Sequence, residues 1–304
     1  LLLLIPLWPQ QQKQQPESGE LRLVSDVQLV LLDASVRRKS GGTYVRGLTR
    51  DHFRIFDNGK PAEITTFHEA DLPVTLGLVI DASGSMTPKR RETISAALLL
   101  LAENHPEDEV FLIAFNDSVA SLLPADTPFT SDRQLLRDAL MRHPAKGRTA
   151  LHDGIEQGIE HLQQGSRQRK ALVVISDGGD NASRTSEQEL LRLAQDSHAT
   201  IFTIGIYDLS DPDRNPGLLR RLAQWTGGEA FFPRPGGISL EDATRRIARD
   251  LRSRYLLGFA PAQSATPQRR KIRVTAASPE EGKLKVRARQ FYFAGPPTSE
   301  GASQ

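Results

Sequence analysis

Four short apolar runs constrain this chain more than any other feature. They are Val74-Thr75-Leu76-Gly77-Leu78-Val79-Ile80, Val110 to Asn116, Ala171-Leu172-Val173-Val174-Ile175 and Thr200 to Ile206. Each is the length of a strand rather than a helix, and a continuous apolar run is what a strand covered on both faces requires. Stripes at helical spacing lie between them. Ile94, Ala97, Leu98 and Leu101 recur at i, i+3, i+4, i+7, in a helix entered at Thr87 and Pro88 and stopped before Pro106. Ser131 and Gln134 read as a capping box ahead of Leu135, Leu136, Ala139 and Leu140, and Ser186 and Glu189 as another ahead of Leu190, Leu191 and Ala194. Leu151, Ile155, Ile159 and Leu162 form a further stripe, and helices are expected from Pro216 to Trp225 and from Ser239 to Leu251. Strands alternating with helices predict an α/β fold with a doubly wound, mostly parallel sheet.

The flanks read differently. Val27 to Val36, Phe53 to Phe56 and Ala62 to Phe67 are strand-like, with Asn58-Gly59 suited to a type I′ hairpin turn. Tyr255 to Phe259, Lys271 to Thr275 and Lys283 to Arg289 return to β after the last helix. In the latter two, Ile272 and Val274 oppose Leu284 and Val286 on one face of an expected hairpin, while Lys271, Arg273, Lys285 and Arg287 fill a solvated basic face. A lone hairpin is marginal in water, so residues 20–72 and 253–293 are expected to pack into one β-sandwich, with the α/β domain of residues 73–252 inserted between them. Residues 1–17 open on Leu1-Leu2-Leu3-Leu4-Ile5 and turn to glutamine. They read as a signal-peptide remnant or anchor followed by a linker, which predicts an exported, periplasmic, extracellular or envelope-anchored protein. Residues 294–304 read as a disordered tail. The formal net charge of +2 is too small to argue for a nucleic-acid partner, and none is expected; the absence of cysteine excludes disulfides and thiolate metal sites.

Asp81-Ala82-Ser83-Gly84-Ser85-Met86 follows the first apolar run. In open α/β sheets ligands bind beyond the carboxyl ends of the strands, which is where this turn falls. A carboxylate and two hydroxyls at alternate positions can converge on a hard cation such as Mg²⁺, which takes about six oxygens at about 2.0–2.1 Å and usually keeps several waters. The same residues are also favoured at helix N-caps, so the hexapeptide alone leaves both readings open. Gly147-Arg148-Thr149 and Ser176-Asp177-Gly178-Gly179-Asp180 fall on the same edge and add a hydroxyl and a carboxylate.

Asp-x-Ser-x-Ser, a later Thr and an Asp closing a buried strand together resemble the metal-ion-dependent adhesion site of the von Willebrand factor type A domain. The resemblance covers roughly Val74 to Leu251. The flanking segments Gly47 to Phe53, Asp57 to Lys60 and Arg254 to Phe259 look like an exported bacterial subgroup built around that domain. It implies that Ser83 and Ser85 bind Mg²⁺ (or Mn²⁺) directly, with Thr149 direct or through water, and that Asp81 and Asp177 mainly hold those ligands in place. Arg148 stands where a glycine often precedes the threonine, and it joins Asn116 and Asp180 as the expected rim. The implied activity is non-enzymatic: gripping an acidic residue of a partner protein, with peripheral association to the envelope as a further expectation. A scaffold subunit of a metal- or ATP-driven assembly is the alternative.

Other chemistries rank lower. A phosphoacceptor Asp81 lacks a paired acid before it. A hydrolase using His152 lacks a Gly-x-Ser-x-Gly elbow, and no phosphate-binding Gly-x-x-x-x-Gly-Lys-Ser/Thr occurs. Asp211-x-Asp213-x-Asn215 hints at a calcium loop, but Pro216 falls where glycine is needed.

Overall fold

The computed structural model describes residues 29–294 apart from 70–71, 208–212, 263, 265 and 267. The signal-peptide reading of residues 1–17, the tail from residue 295 and Asp211 of the calcium-loop reading lie outside the described residues.

The expected α/β fold is present. Strands β5 (Val74–Asp81), β6 (Glu109–Phe115), β8 (Arg169–Ser176), β9 (Thr200–Gly205) and β10 (Ala230–Phe231) run parallel, and β7 (Val119–Ser121) closes one edge antiparallel. Their order is β10-β9-β8-β5-β6-β7. Every residue of β5 is buried, which is why its sequence is unbroken by polar residues other than Thr75 and the terminal Asp81. Helices α1 (Arg90–Ala102), α2 (Arg133–Arg142), α3 (Leu151–Gln163), α4 (Glu187–Asp196), α5 (Pro216–Thr226) and α6 (Leu240–Arg252) supply the rest of this domain, and they share one apolar core with the sheet.

Two helix starts differ from expectation. A 3₁₀ turn at Gly84–Met86 precedes α1, which begins at Arg90 rather than at Thr87 and Pro88. The turn is tied down by the Gly84 amide donating to the Gly147 carbonyl and by fully buried Met86, so the chain must complete it before the helix can start. The cap of α2 is Asp132, which accepts from the Gln134 and Leu135 amides, one position beyond Ser131. Asn215 caps α5 by accepting from the Leu218 amide.

The flanking strands form two facing antiparallel sheets around a second core. One contains β1 (Val30–Arg38), β4 (Thr66–Glu69), β11 (Arg254–Phe259) and β13 (Leu284–Arg287) in the order β13-β1-β11-β4. The other contains β2 (Phe53–Asp57), β3 (Lys60–Ala62), β12 (Gln268–Ala276) and β14 (Phe291–Ala294) in the order β14-β12-β2-β3. Each sheet thus combines N-terminal and C-terminal strands, alternating in the first and joined at the β12–β2 pair in the second, around Leu32, Phe53, Ile55, Tyr255, Phe259, Ile272 and Tyr292. Asn58 and Gly59 both take positive φ, as the type I′ turn between β2 and β3 demands.

Two strand assignments are corrected. Ala62 to Phe67 is divided between β3 and β4, which lie in different sheets. The expected hairpin of residues 271–289 is not formed, because β12 pairs with β2 and β14 while β13 pairs with β1. Ile272, Val274, Leu284 and Val286 do share a core, but as facing sheets rather than neighbouring strands.

The α/β domain and the sandwich meet at a buried ionic seam. Arg254 and Asp250 are almost wholly buried, and the guanidinium binds the Asp250 carboxylate at 2.6–2.7 Å. Arg254 also donates to the carbonyls of Asp33 in β1 (3.0 Å) and Gly227 after α5 (3.1 Å), so one side chain ties together both parts of the chain. Tyr44 donates to Asp250 at 2.8 Å, and Arg287 pairs with both Asp250 and Glu229. Arg287 therefore belongs to the interior, not to the solvated basic face expected for it. Burial pushes the Asp250 carboxyl up, but Arg254, Arg287 and the Tyr44 hydroxyl outweigh it and hold the group below the usual carboxylate range. Removing one partner of such a pair strands the other charge in a dry site. Arg254→Met should therefore destabilise the fold by about 3–5 kcal/mol. Urea denaturation would check this, and a change under about 1 kcal/mol would show that the seam is solvated in practice.

Candidate metal site at the sheet edge

From β5 the chain builds one half of the sheet through β6 and β7, then crosses to the other side of β5 to add β8, β9 and β10. The reversal falls between β5 and β8, and a doubly wound sheet opens a crevice at that point, outside the carboxyl ends of its strands. Asp81 ends β5 and Asp177 follows β8 directly, so the two carboxylates flank the crevice.

Asp81 is buried at 3% exposure, with one oxygen accepting from the Ser83 amide (2.9 Å) and the other from the Ser176 hydroxyl (2.7 Å). Asp177 is equally buried, and accepts from the Gly179 amide at 3.1 Å and the Ser85 hydroxyl at 2.7 Å. The hydroxyls of Ser83 and Ser85 lie 3.1 Å apart. A continuous hydrogen-bonded chain thus runs Ser83–Ser85–Asp177. Ser83 is buried, while Ser85 is open to solvent.

The third stretch is laced to the other two by backbone. Gly84 and Lys146 amides donate to the Gly147 and Ala82 carbonyls, while the Asn181 and Ala182 amides donate to the Thr149 carbonyl. The Thr149 amide donates to the Asn181 side chain at 2.9 Å. Gly147 has φ of +83°, and a Cβ there would run into the Asp117 carboxylate. Gly178 has φ of +88°, and a Cβ would meet the Asn215 backbone at 2.8 Å. Both loops need glycine for conformation and for space.

The rim residues are more structural than expected. Arg148 is well exposed and pairs with Asp117 at 3.5 Å. The Asn116 carbonyl accepts from the Ala150 amide, and its side chain accepts from the Ser118 amide at 3.2 Å. Asp180 accepts from the His152 amide at 3.1 Å and from the Ser183 hydroxyl at 2.5 Å, which fixes the start of α3. His152 is committed to the same loop, with Nδ1 2.9 Å from the Thr185 carbonyl. Ser176 and Asn181 are the contributors that sequence reading missed. Ser176 stood in the quoted stretch, but nothing in a linear pattern shows that its hydroxyl reaches Asp81 across the crevice.

Among the described residues, no three His, Cys, Asp or Glu side chains converge on a metal position. The donor set is two carboxylates with serine and threonine hydroxyls, which suits a hard, oxygen-seeking cation and no soft one. Burial, reinforced by facing Asp177, pushes the Asp81 carboxyl up to about 6 against the hydrogen bonds from Ser83 and Ser176. The crevice thus disfavours its own negative charge, a tension that a cation would relieve.

A family model described as von Willebrand factor type A domain matches residues 76–245. An uncharacterised protein of Synechocystis is 29% identical over 144 residues, covering 46% of this chain and 34% of that protein. One of Borreliella burgdorferi is 27% identical over 135 residues, covering 42% of this chain and 39% of that protein. The chain therefore spans little more than a third of the length of these relatives. A solved structure titled von Willebrand factor type A from Catenulispora acidiphila aligns over 90% of this chain and 76% of its own, at 14% identity and a TM-score of 0.49.

The tension at Asp81 gives a prediction for cation-free protein. Because the folded group holds its proton more tightly than the unfolded one, its contribution to stability is greatest below about pH 4. That contribution falls as pH rises through about 6. Asp81→Asn should abolish that loss and raise stability at pH 7 by about 1–3 kcal/mol. Melting curves in chelator across this range would check it, and lower stability of the variant at pH 7 would refute it.

Proposed function

The chain belongs to the von Willebrand factor type A family, and on that footing we propose that its sheet-edge crevice holds a divalent cation that captures an acidic residue of a partner protein. Ser83, Ser85 and Thr149 would hold Mg²⁺ (or Mn²⁺), with Asp81 and Asp177 orienting the hydroxyls. The observation that carries this reading is the hydrogen-bonded chain Ser83–Ser85–Asp177 at the topological switch point, backed by buried Asp81. A bound cation would supply a positive charge that two carboxylates and neutral hydroxyls leave open to a further anionic ligand.

The chain's own residues do the remaining work. Ser176 holds Asp81 in place through one oxygen and the Ser83 amide through the other, so the carboxylate cannot swing into solvent. Gly179 fixes Asp177 in the same way. The rim made by the loops after Asp81, Asn116, Thr149 and Asp177 would then contact the partner. Arg148 stands at that rim, though it is drawn toward Asp117.

Ser83→Ala with Ser85→Ala should abolish calorimetric binding of Mg²⁺ and Mn²⁺ while the far-UV spectrum and cooperative melting persist. Asp177→Asn, which alters the group orienting Ser85, should weaken binding about 10–100-fold. Unchanged affinity in the double variant would remove the assignment. A partner captured by the wild-type chain should dissociate in chelator and return with Mg²⁺; capture that survives chelator would place recognition elsewhere.

A further inference from the structure

The sandwich carries a surface that the cation site does not use. On the face of the β14-β12-β2-β3 sheet turned away from the core, β12 presents Arg269, Lys271 and Arg273, all exposed, and β2 presents Arg54 and Phe56. The pairing register puts an aromatic ring directly beside each cation of β12: Phe293 by Arg269, Phe291 by Lys271 and Phe56 by Arg273. Directly opposed residues on one sheet face are the pairs that interact. Sequence reading found a basic face here, but assigned its partner strand wrongly and missed the phenylalanines of β14.

Three features separate this face from an ordinary solvated one. None of Arg54, Arg269, Lys271 or Arg273 has an acidic partner among the described residues, and none of the outward positions paired with them is acidic. The inward-pointing Arg270 of the same strand, by contrast, is paired with Asp57 at 2.8 Å. Secondly, the rings are already dressed with charge: the Arg269 guanidinium lies 3.7 Å from the Phe291 centroid, and that of Arg273 4.0 Å from Phe56. Thirdly, Phe293 on the edge strand is 40% exposed, one of few large apolar side chains left so open among the described residues.

We propose that this face docks on an anionic lipid bilayer. Successive cations of β12 stand about 7 Å apart along the strand, each with an aromatic ring opposite it on a neighbouring strand. Trp225 of α5 borders the β14 end of this face, 5.4 Å from the Arg269 guanidinium, and the rest is a distributed field of charge suited to a laterally extended anionic surface rather than to one bound group. The rings of Phe56 and Phe291 are covered by guanidinium groups, which removes the free aromatic faces that single-stranded nucleic acid would stack upon. Phe293 is the side chain placed to enter the interface between headgroups and acyl chains.

The test is co-sedimentation of the full chain with phosphatidylglycerol-containing vesicles and with phosphatidylcholine vesicles, in chelator throughout so that the cation site plays no part. Binding is expected to the anionic vesicles alone and to be lost at high salt. Each cation removed should weaken it about fivefold, equivalent to about 1 kcal/mol. Arg269→Gln/Lys271→Gln/Arg273→Gln should therefore lose about a hundredfold, and the single variant Lys271→Glu should show a clear loss if the triple variant fails to fold. Arg245→Gln/Arg249→Gln, on exposed positions of α6, should change little. Indifference of the wild type to anionic lipid would overturn the proposal. So would an equal loss in the α6 variant, or tighter binding of this face to single-stranded DNA than to vesicles.

Discussion

The contact on which the rest of this structure depends is the buried pair of Asp250 and Arg254, four residues apart across the end of α6. A charged pair without water must satisfy its remaining donors and acceptors or cost more than it returns. Here Asp33 and Gly227 carbonyls, Tyr44 and Arg287 do that, and the guanidinium lies over the Phe202 ring at 5.3 Å. Those partners come from β1, the segment after it, the turn after α5, β13 and β9. Such an interaction does little that leucine could not do for stability alone. Its directionality is what counts, because a guanidinium with assigned acceptors on several elements permits one arrangement of sandwich and α/β domain, where apolar contact would tolerate several. Arg169, held by the Leu72 and Leu251 carbonyls, adds a second tie where the chain enters and leaves the domain.

That rigidity matters for the crevice. Asp81 and Asp177 come from strands that are neighbours in the sheet but separated by nearly a hundred residues of chain. Their separation is set by the ladder between β5 and β8, whose register pairs Ile80 with Ile175. The hydroxyls are placed by loops that cross-link through backbone amides as well as through the side chains of Ser176 and Asn181. The site is therefore built on the sheet, and its side chains make few choices of their own.

Much of this was legible in the sequence, for identifiable reasons. A parallel sheet buried on both faces leaves unbroken apolar runs such as Ala171 to Ile175, and its ends announce themselves with Ser, Asp and Gly. Asn58-Gly59 announced its turn because few other residues take positive φ at both positions. The misreadings share a cause. Local pattern identifies a strand's two faces but not its neighbour, so Ile272 with Val274 and Leu284 with Val286 looked like one hairpin when they are two sheets meeting across a core. Arg287 was misjudged for the same reason: its alternation with Val286 marked it as outward from one sheet, yet the α/β domain covers that outward face. Asp180, expected at the rim, also fixes the start of α3 through the His152 amide, a contact no linear pattern shows.

Two chemistries of opposite reach then sit on one rigid chain. At the sheet edge, burial beside Asp177 makes Asp81 resist ionising, and a cation held there would act over a single carboxylate length. On the sandwich, cations stand apart, unpaired by acids, and act over the Debye length of the surrounding salt, about 8 Å under physiological conditions. The first arrangement would select; the second would concentrate and orient. A module that only gripped a soluble partner would have no use for a basic face with an open phenylalanine. One that only lay on a surface would have no use for buried carboxylates at a switch point. The seam of Arg254, Asp250 and Arg287 is what lets the two act together, since orientation gained by one lobe reaches the other only if the joint between them does not turn.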